Sequence, residues 1–410
     1  MKTTISLFKL LHGMYATKVP VIVFGNAGIG KTSIIKQLGR TLGVTTITKS
    51  SSKVTDVDLS GIPYLQEIAE KNTKTDVVNQ KMHKEVRISV PTYIQQLNGD
   101  PNGILFFDEL GTAPIDIQKQ MLSIIQDCEL NDFTIPSTTF RIAASNYSNI
   151  SGNKIIQQAL LNRFCHIHAT ANVDEFCAGF VSSFSNYELA KINSKEEQEN
   201  KLIQYKMLIV DFLKAHPQYL ENMPEDVVDE CDQAFPSPRS WENVAKVMAV
   251  LDGNEEEYLE VLVCGLVGDA IGKIFLQYCS ENDLFNIDLR EYVGKEQTFV
   301  LPNPDKHSEV YHIISALMAY VKLDAKKYIK LWTRIINVLH NKDHKFGDYT
   351  GYDNFIMTFM HASMQIFTEN GLISAEQIQS WAGNKPNVKP EEILDDYNEL
   401  ASLSSSISLS

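Results

Sequence analysis

The sequence predicts an α/β fold built on a parallel sheet, followed by an all-α region, and three observations point there. From about residue 20 to 168, short β-branched or apolar runs alternate with helix-like stretches, the rhythm of strands crossed over by helices. Beyond residue 170 the rhythm stops and only helical patterns punctuated by Pro, Gly and Asn remain. Between the first apolar run and the first helix lies a glycine-rich loop, the join that phosphate-binding α/β domains use.

Taken in order, the strand-like runs are Val19–Phe24, Val44–Thr48, Ile104–Phe107, Phe140–Ala144 and Phe164–Ala169. Each is short and rich in residues that suit a pleated, covered surface. The intervening stretches Lys31–Leu42 and Pro114–Cys128 carry good helix formers. Later come helices over Lys195–Ala215, Trp241–Leu251, Tyr258–Cys279, Val310–Val321 and Phe355–Phe367. The serine-rich end, Ser402–Ser410, has too little apolar surface to fold. Four regions follow: 1–170 as the α/β core, 171–280 as an α-helical lid, 281–400 as a helical C-terminal extension, and 401–410 as a disordered tail.

Composition bounds the rest. With 410 residues, 44% of them hydrophobic, the chain can bury one full core and has material for two or three. No apolar run reaches bilayer length, and Met1–Phe8 lacks a charged-then-apolar leader pattern, so a cytoplasmic protein without membrane partners is expected. The six cysteines are scattered with no Cys-x-x-Cys pair, which argues against a zinc site or a disulfide framework. His166 and His168 alternate on one strand face without a third ligand at metal-site spacing, so they read as structural histidines. Residues 1–170 carry 17 Lys+Arg and 13 Asp+Glu, a net charge of +4, leaving −18 for residues 171–410 in a total of −14. So acidic a second half is a poor surface for a phosphate backbone, and nucleic acid is not the favoured partner. The cluster Lys71, Lys74, Lys81, Lys84 and Arg87, relieved by Asp76 and Glu85, reads as a solvated helix face.

Gly25-Asn26-Ala27-Gly28-Ile29-Gly30-Lys31-Thr32, followed by Ser33, is a complete G-x-x-x-x-G-K-[ST] between a buried run and a helix. The glycines let the backbone curl with its amides inward around phosphate oxygens, Lys31 adds a cation at the β/γ-phosphates, and the Thr32 hydroxyl suits Mg²⁺. Residues Gly25 to Ser33 are therefore the candidate phosphate-binding loop of a nucleotide site. The second motif, Gly103-Ile104-Leu105-Phe106-Phe107-Asp108-Glu109, is a strand buried on both faces that ends in two carboxylates. Ligands bind at such strand ends in open α/β sheets. Asp108 is the candidate for the Mg²⁺ shell with Thr32, and Glu109 for the base that polarises the attacking water.

With both motifs in place the sequence resembles the AAA+ ATPases, and further segments resemble the MoxR group within them. Phe140-Arg141-Ile142-Ala143-Ala144-Ser145-Asn146 is similar to the sensor-1 strand, which implies that Asn146 positions the water with Glu109. Leu160-Leu161-Asn162-Arg163-Phe164 is similar to the arginine-finger segment, and Pro236-Ser237-Pro238-Arg239-Ser240-Trp241 to the sensor-2 motif that opens a lid helix. Ser51–Gly61, with Val57-Asp58-Leu59-Ser60-Gly61, resembles the stretch leading into the helix-2 insertion, and Glu129–Thr139 a hairpin before sensor 1. The resemblance covers about residues 1–275; it matches no pattern between Leu65 and Arg87.

It implies a homo-oligomeric ring, usually a hexamer, with ATP between subunits, Arg163 completing a neighbour's site, and Arg239 touching the γ-phosphate of its own. It further implies chaperone-like remodelling of a protein client, often beside a von Willebrand factor A partner, which here would be a separate polypeptide. Two rivals are a nucleic-acid-dependent motor or restriction-type subunit, and a nucleotide-dependent scaffold with little turnover.

Overall fold

The computed structural model describes residues 6–69, 82–147, 156–181, 187–222, 234–281, 290–293, 300–323 and 329–339. It divides into two compact units that do not follow the linear order of the chain. One holds residues 1–193 and 218–273, the other 194–217 and everything from 274 onward.

The first unit is built on strands β1 (Val21–Phe24), β2 (Thr46–Ser50), β5 (Ile104–Asp108), β8 (Phe140–Ser145) and β9 (Cys165–His168). They form one five-stranded sheet in the order β2-β5-β8-β1-β9, and every pairing is parallel. Every residue of β1 and β8 is buried, which is why their sequences run apolar without alternation. The register sets Ser50 beside Asp108 and Phe24 beside both Ser145 and His168. All five strands therefore end at one rim, where Gly25, Glu109 and Asn146 follow.

Helices α1 (Leu7–Thr17), α2 (Lys31–Leu42), α3 (Asp56–Ser60), α4 (Thr92–Gly99), α5 (Ile115–Asp127), α6 (Gln158–Leu161) and α7 (Val173–Val181) surround the sheet in the chain. Ile117, Met121, Ile124 and Ile125 of α5 recur at helical spacing and bury themselves against Ile22, Phe24, Leu105, Phe107 and Ala143. Truncating such a residue, as in Phe107→Ala, costs about 3–5 kcal/mol.

Two hairpins project from this core. The antiparallel pair β3 (Pro63–Ala69) and β4 (Met82–Ile88) sets Leu65 opposite Val86 and Tyr64 opposite Arg87. Lys84 and Arg87 thus lie on a strand, which corrects the helix-face reading, and Arg87 pairs with Glu85 at 3.0 Å. Lys71, Lys74, Lys81 and Asp76 lie outside the described residues. The hairpin expected over 129–139 is two short strands, β6 (Glu129–Leu130) and β7 (Phe133–Thr134), turned through Asn131 at φ 52°.

Two elements differ from the sequence reading. The second strand begins at Thr46 because Gly43, at φ 67°, caps α2, and the Val44 amide donates to Gly39 O. The helix expected over Tyr258–Cys279 is two helices, α10 (Glu256–Val267) and α11 (Asp269–Glu281), separated at Gly268. That residue has φ +90°, and a side chain there would come within 2.7 Å of Ala234 O. Helix α9 (Pro238–Leu251) precedes them, opened by Ser237 and by Pro238 in the first turn.

The second unit contains α8 (Lys195–Ala215), α12 (Arg290–Val293), α13 (His307–Leu323), α14 (Ile329–Leu339) and the end of α11. Ser194 and Glu197 form a capping box that starts α8. Phe212 meets Phe275 and Tyr278 edge-on, Tyr320 and Trp332 are buried, and His312 Nδ1 lies 3.1 Å from Asp211 Oδ2. Phe355–Phe367 and Ser402–Ser410 fall outside the described residues. No helix among the described residues is long and apolar enough to cross a membrane.

Candidate nucleotide-binding and hydrolysis site

The loop after β1 has three glycines that are needed for two different reasons. At Gly25 a side chain would collide with Ile29 and with Ala169 O at 2.8 Å, so space excludes it. At Gly28 and Gly30 nothing lies within 4 Å of where a Cβ would be, but φ is +82° and +92°, values that L side chains rarely adopt. Gly30 caps α2 with no side-chain hydrogen bond to the first-turn amides, leaving the helix N-terminus able to receive an anion.

Lys31, Thr32 and Ser33 open α2 and line, with Ala27 to Gly30, a cleft of about 340 Å³. Its other walls come from neighbouring strand ends: Asp108, the last residue of β5, with Glu109 after it, and Ala144 and Ser145 at the end of β8 with Asn146 after them. Lys31 Nζ donates to Gly25 O at 2.7 Å, Asn26 O at 3.0 Å and Asn146 Oδ1 at 3.0 Å. Thr32 Oγ1 donates to Asp108 Oδ2 at 2.9 Å, and the Glu109 amide to Asp108 Oδ1 at 3.0 Å. A hydroxyl and a carboxylate side by side at the foot of a phosphate-binding loop are the hard oxygen donors that Mg²⁺ takes, so these residues fit the ion. Among the described residues no group of three or more His, Cys, Asp or Glu could hold a metal by itself.

Glu109 is exposed and sits at φ +58°, a left-handed backbone that is strained for a side chain of this kind. Its carbonyl accepts from Thr112 Oγ1 at 2.7 Å and from the Thr112 amide at 2.9 Å, fixing the turn. Its carboxylate accepts from Ser52 Oγ at 3.1 Å, and Ser52 Oγ lies 3.0 Å from Ser50 Oγ. Ser52 was not visible as a site residue in the sequence, because its partner is 57 positions away and only the β2–β5 pairing brings them together.

Arg163 and Arg239 do not line this cleft. Arg163 follows α6 and donates to Ala159 O; Arg239, in the first turn of α9, reaches Gln126 Oε1 at 3.4 Å. The two segments are tied by Ser237 Oγ, which donates to Asn162 Oδ1 at 2.8 Å. Burial, and then the nearby charge of Arg239, push the Arg163 guanidinium below its ordinary range, while Asp127 opposes them. His166 Nε2 donates to Leu161 O at 3.0 Å, and His168 stacks on Phe24 and Tyr147.

Burial pushes the Lys31 ammonium below its ordinary 10.5, and the Asp108 carboxylate opposes the shift. A bound polyphosphate favours the charged form and raises that pKa. If Lys31 holds the phosphates, its contribution to affinity is full below the free-protein pKa, declines above it and is lost as pH rises through the higher pKa of the bound form. A titration of ATP affinity against pH should show the decline beginning below 10.5. Lys31→Ala should abolish that decline and weaken binding by removing the charge-assisted bonds, each worth about 1.5–3 kcal/mol; unaltered affinity in a binding titration would refute the assignment.

Glycine-rich loop, strand-end carboxylates and parallel sheet together define a P-loop nucleoside triphosphatase. Residues 21–171 match the family model for AAA, the ATPase family associated with various cellular activities, so an AAA-type ATPase domain occupies the first unit's core. The match spans somewhat over a third of the chain. A solved structure of an inferred ATPase from Cytophaga hutchinsonii shares 16% identity, covering 66% of this chain and 88% of that one at a TM-score of 0.39, a likeness too low to bear on function. No curated protein matches the sequence.

Proposed function

We propose that the chain is a MoxR-type AAA+ ATPase that works as a ring, of hexameric type, and couples ATP binding and hydrolysis to remodelling or assembly of a protein client. A separate von Willebrand factor A domain protein is the partner the MoxR resemblance suggests. One observation carries the reading. Lys31, Thr32, Asp108, Glu109 and Asn146 converge on one cleft, whereas the two arginines suited to stabilising transferred phosphate lie elsewhere, beside each other. A site with its binding loop and base in place, but its arginines aimed away, is complete when a second copy supplies them. On this reading Arg239 serves with Arg163 at the neighbour's phosphates and not at those of its own chain.

The chemistry follows from the contacts. An ammonium has three donors, and all three of Lys31's are committed to Gly25, Asn26 and Asn146. Turning Lys31 toward β- and γ-phosphate oxygens breaks at least one of these bonds, and release from Lys31 lets Asn146 Oδ1 accept from a water and orient it. Glu109, swung from Ser52, accepts a proton from that water as its oxygen attacks the γ-phosphorus in line with the departing β-phosphate oxygen, giving ADP and phosphate. Thr32 and Asp108 would hold Mg²⁺, which would supply charge neutralisation for the triphosphate.

The test is the mass of the Glu109→Gln protein with ATP. It should be several times the 46.2 kDa of one chain; a monomer that hydrolyses ATP at full rate in the unmodified protein would sink the ring. Turnover stimulated by DNA or RNA, with steep salt dependence, would instead favour the nucleic-acid motor.

A further inference from the structure

The N-terminal helix carries a charge that the ATPase chemistry does not use. Lys9, on α1, has a side chain only 7% exposed, yet Nζ lies 2.6 Å from Glu188 Oε1 and 2.9 Å from Glu255 Oε2. A buried ammonium persists only when paired, and removing its partners strands it. Glu255 is the residue that precedes α10, and Glu188 belongs to the segment 187–193, which is neither helix nor strand.

That segment is fastened on every side. Tyr187 stacks on Phe8 of α1 with ring centroids 4.0 Å apart. Asn193 Nδ2 donates to Ala249 O at 2.8 Å and Asp252 Oδ1 at 2.6 Å, and Asn254 Nδ2 donates to Lys191 O at 2.8 Å. The buried Tyr258 hydroxyl donates to Lys9 O at 3.2 Å. It presses so closely on Gly13 that a side chain there would overlap it. Helix α1, the segment and the α9–α10 corner thus close around one buried cation.

The other end of α9 carries Arg239 and is held to the Arg163 segment through Ser237 and Asn162. A 14-residue helix is a stiff rod of about 21 Å, so fixing its far corner fixes the angle at which its first turn presents an arginine. We infer that Lys9, bridged to Glu188 and Glu255, is a positioning residue for the ATPase reaction: it locks α9 against α1 so that Arg239 is presented from a fixed mount and not from a swinging lid. The inference rests on the reading of Arg239 as a phosphate-facing residue.

The experiment is a double-mutant cycle on the full chain, with Lys9→Met, Arg239→Ala and the pair. Lys9→Met keeps the packed stem and removes the charge. It should lower kcat between about tenfold and 10²-fold, the range for a small misplacement of a reacting group. KM for ATP should stay within about twofold, because the Lys31 cleft is untouched. In the Arg239→Ala background Lys9→Met should cause no further loss, since what it misplaces is already gone. A merely structural lysine would lower stability in both backgrounds without this coupling. If Lys9→Met does not fold, Glu255→Gln, which leaves Glu188 on the ammonium, reads the same cycle with a smaller loss. Unchanged kcat in Lys9→Met, or losses that multiply independently, overturn the inference while leaving the Arg239 reading intact. An Arg239→Ala protein with full turnover removes that reading and the inference with it.

Discussion

Arg163→Ala should bind ATP as tightly as the unmodified protein and hydrolyse it about 10³- to 10⁵-fold more slowly, the worth of a positioned arginine in other P-loop enzymes. Binding survives because Arg163 is not among the residues lining the Lys31 cleft. The loss is expected in trans, which makes it repairable. Mixed with Glu109→Gln, itself inactive, the variant forms some interfaces in which an intact Glu109 faces an intact Arg163. Turnover should return in the mixture, at a level set by how often that arrangement occurs. Subunit exchange, followed by energy transfer between labelled chains, must accompany the assay, because a concerted ring can be poisoned by one dead site. Exchange with no recovery would mean such poisoning, whereas a fully active Arg163→Ala protein would remove the shared site altogether.

Glu109→Gln should show the second-largest effect, a fall in turnover of about 10²–10⁴-fold with binding retained, the worth of a general base. The substitution keeps the shape and still accepts the Ser52 hydrogen bond, so the left-handed turn at Glu109 and the thermal midpoint should stay put. Single-turnover kinetics separate the two steps. If the chemical step is unchanged, the proton goes elsewhere and Asp108 becomes the residue to test.

Much of this site was legible because its parts are local. The glycine loop is a strand end, a turn and a helix start within a dozen residues, with Gly28 and Gly30 in a backbone that side chains rarely adopt and Gly25 where a side chain has no room. Asp108 and Glu109 stand where an unbroken apolar strand stops. What was not legible depends on residues far apart in the chain. Ser52 is an ordinary serine until β2 lies beside β5. The break at Gly268 is hidden in an apolar helical run, since helix periodicity does not reveal that Ala234 O will approach from across the fold. The hairpin of β3 and β4 has charged and apolar residues in register on both faces, so it shows neither a clean strand alternation nor a helical stripe. Arg163 and Arg239 could be picked out one by one, but their juxtaposition follows from a hydrogen bond between Asn162 and Ser237 spanning 75 positions.

The chain leaves its first compact unit after Asn193, builds α8, and returns at Gln218 before leaving again within α11. For anyone cutting the protein into pieces, this out-and-back path matters more than the order of the motifs. A fragment stopped at Val267 would keep the whole P-loop cleft but also keep α8, with Tyr205, Leu208 and Phe212, all buried in the intact chain, stripped of α13 and the end of α11. Such a piece should be sticky and aggregation-prone for reasons unconnected with ATP. A fragment of the first unit alone must instead end by residue 273 and replace residues 194–217 by a linker long enough to span the ends of the 21-residue α8, about 31 Å apart.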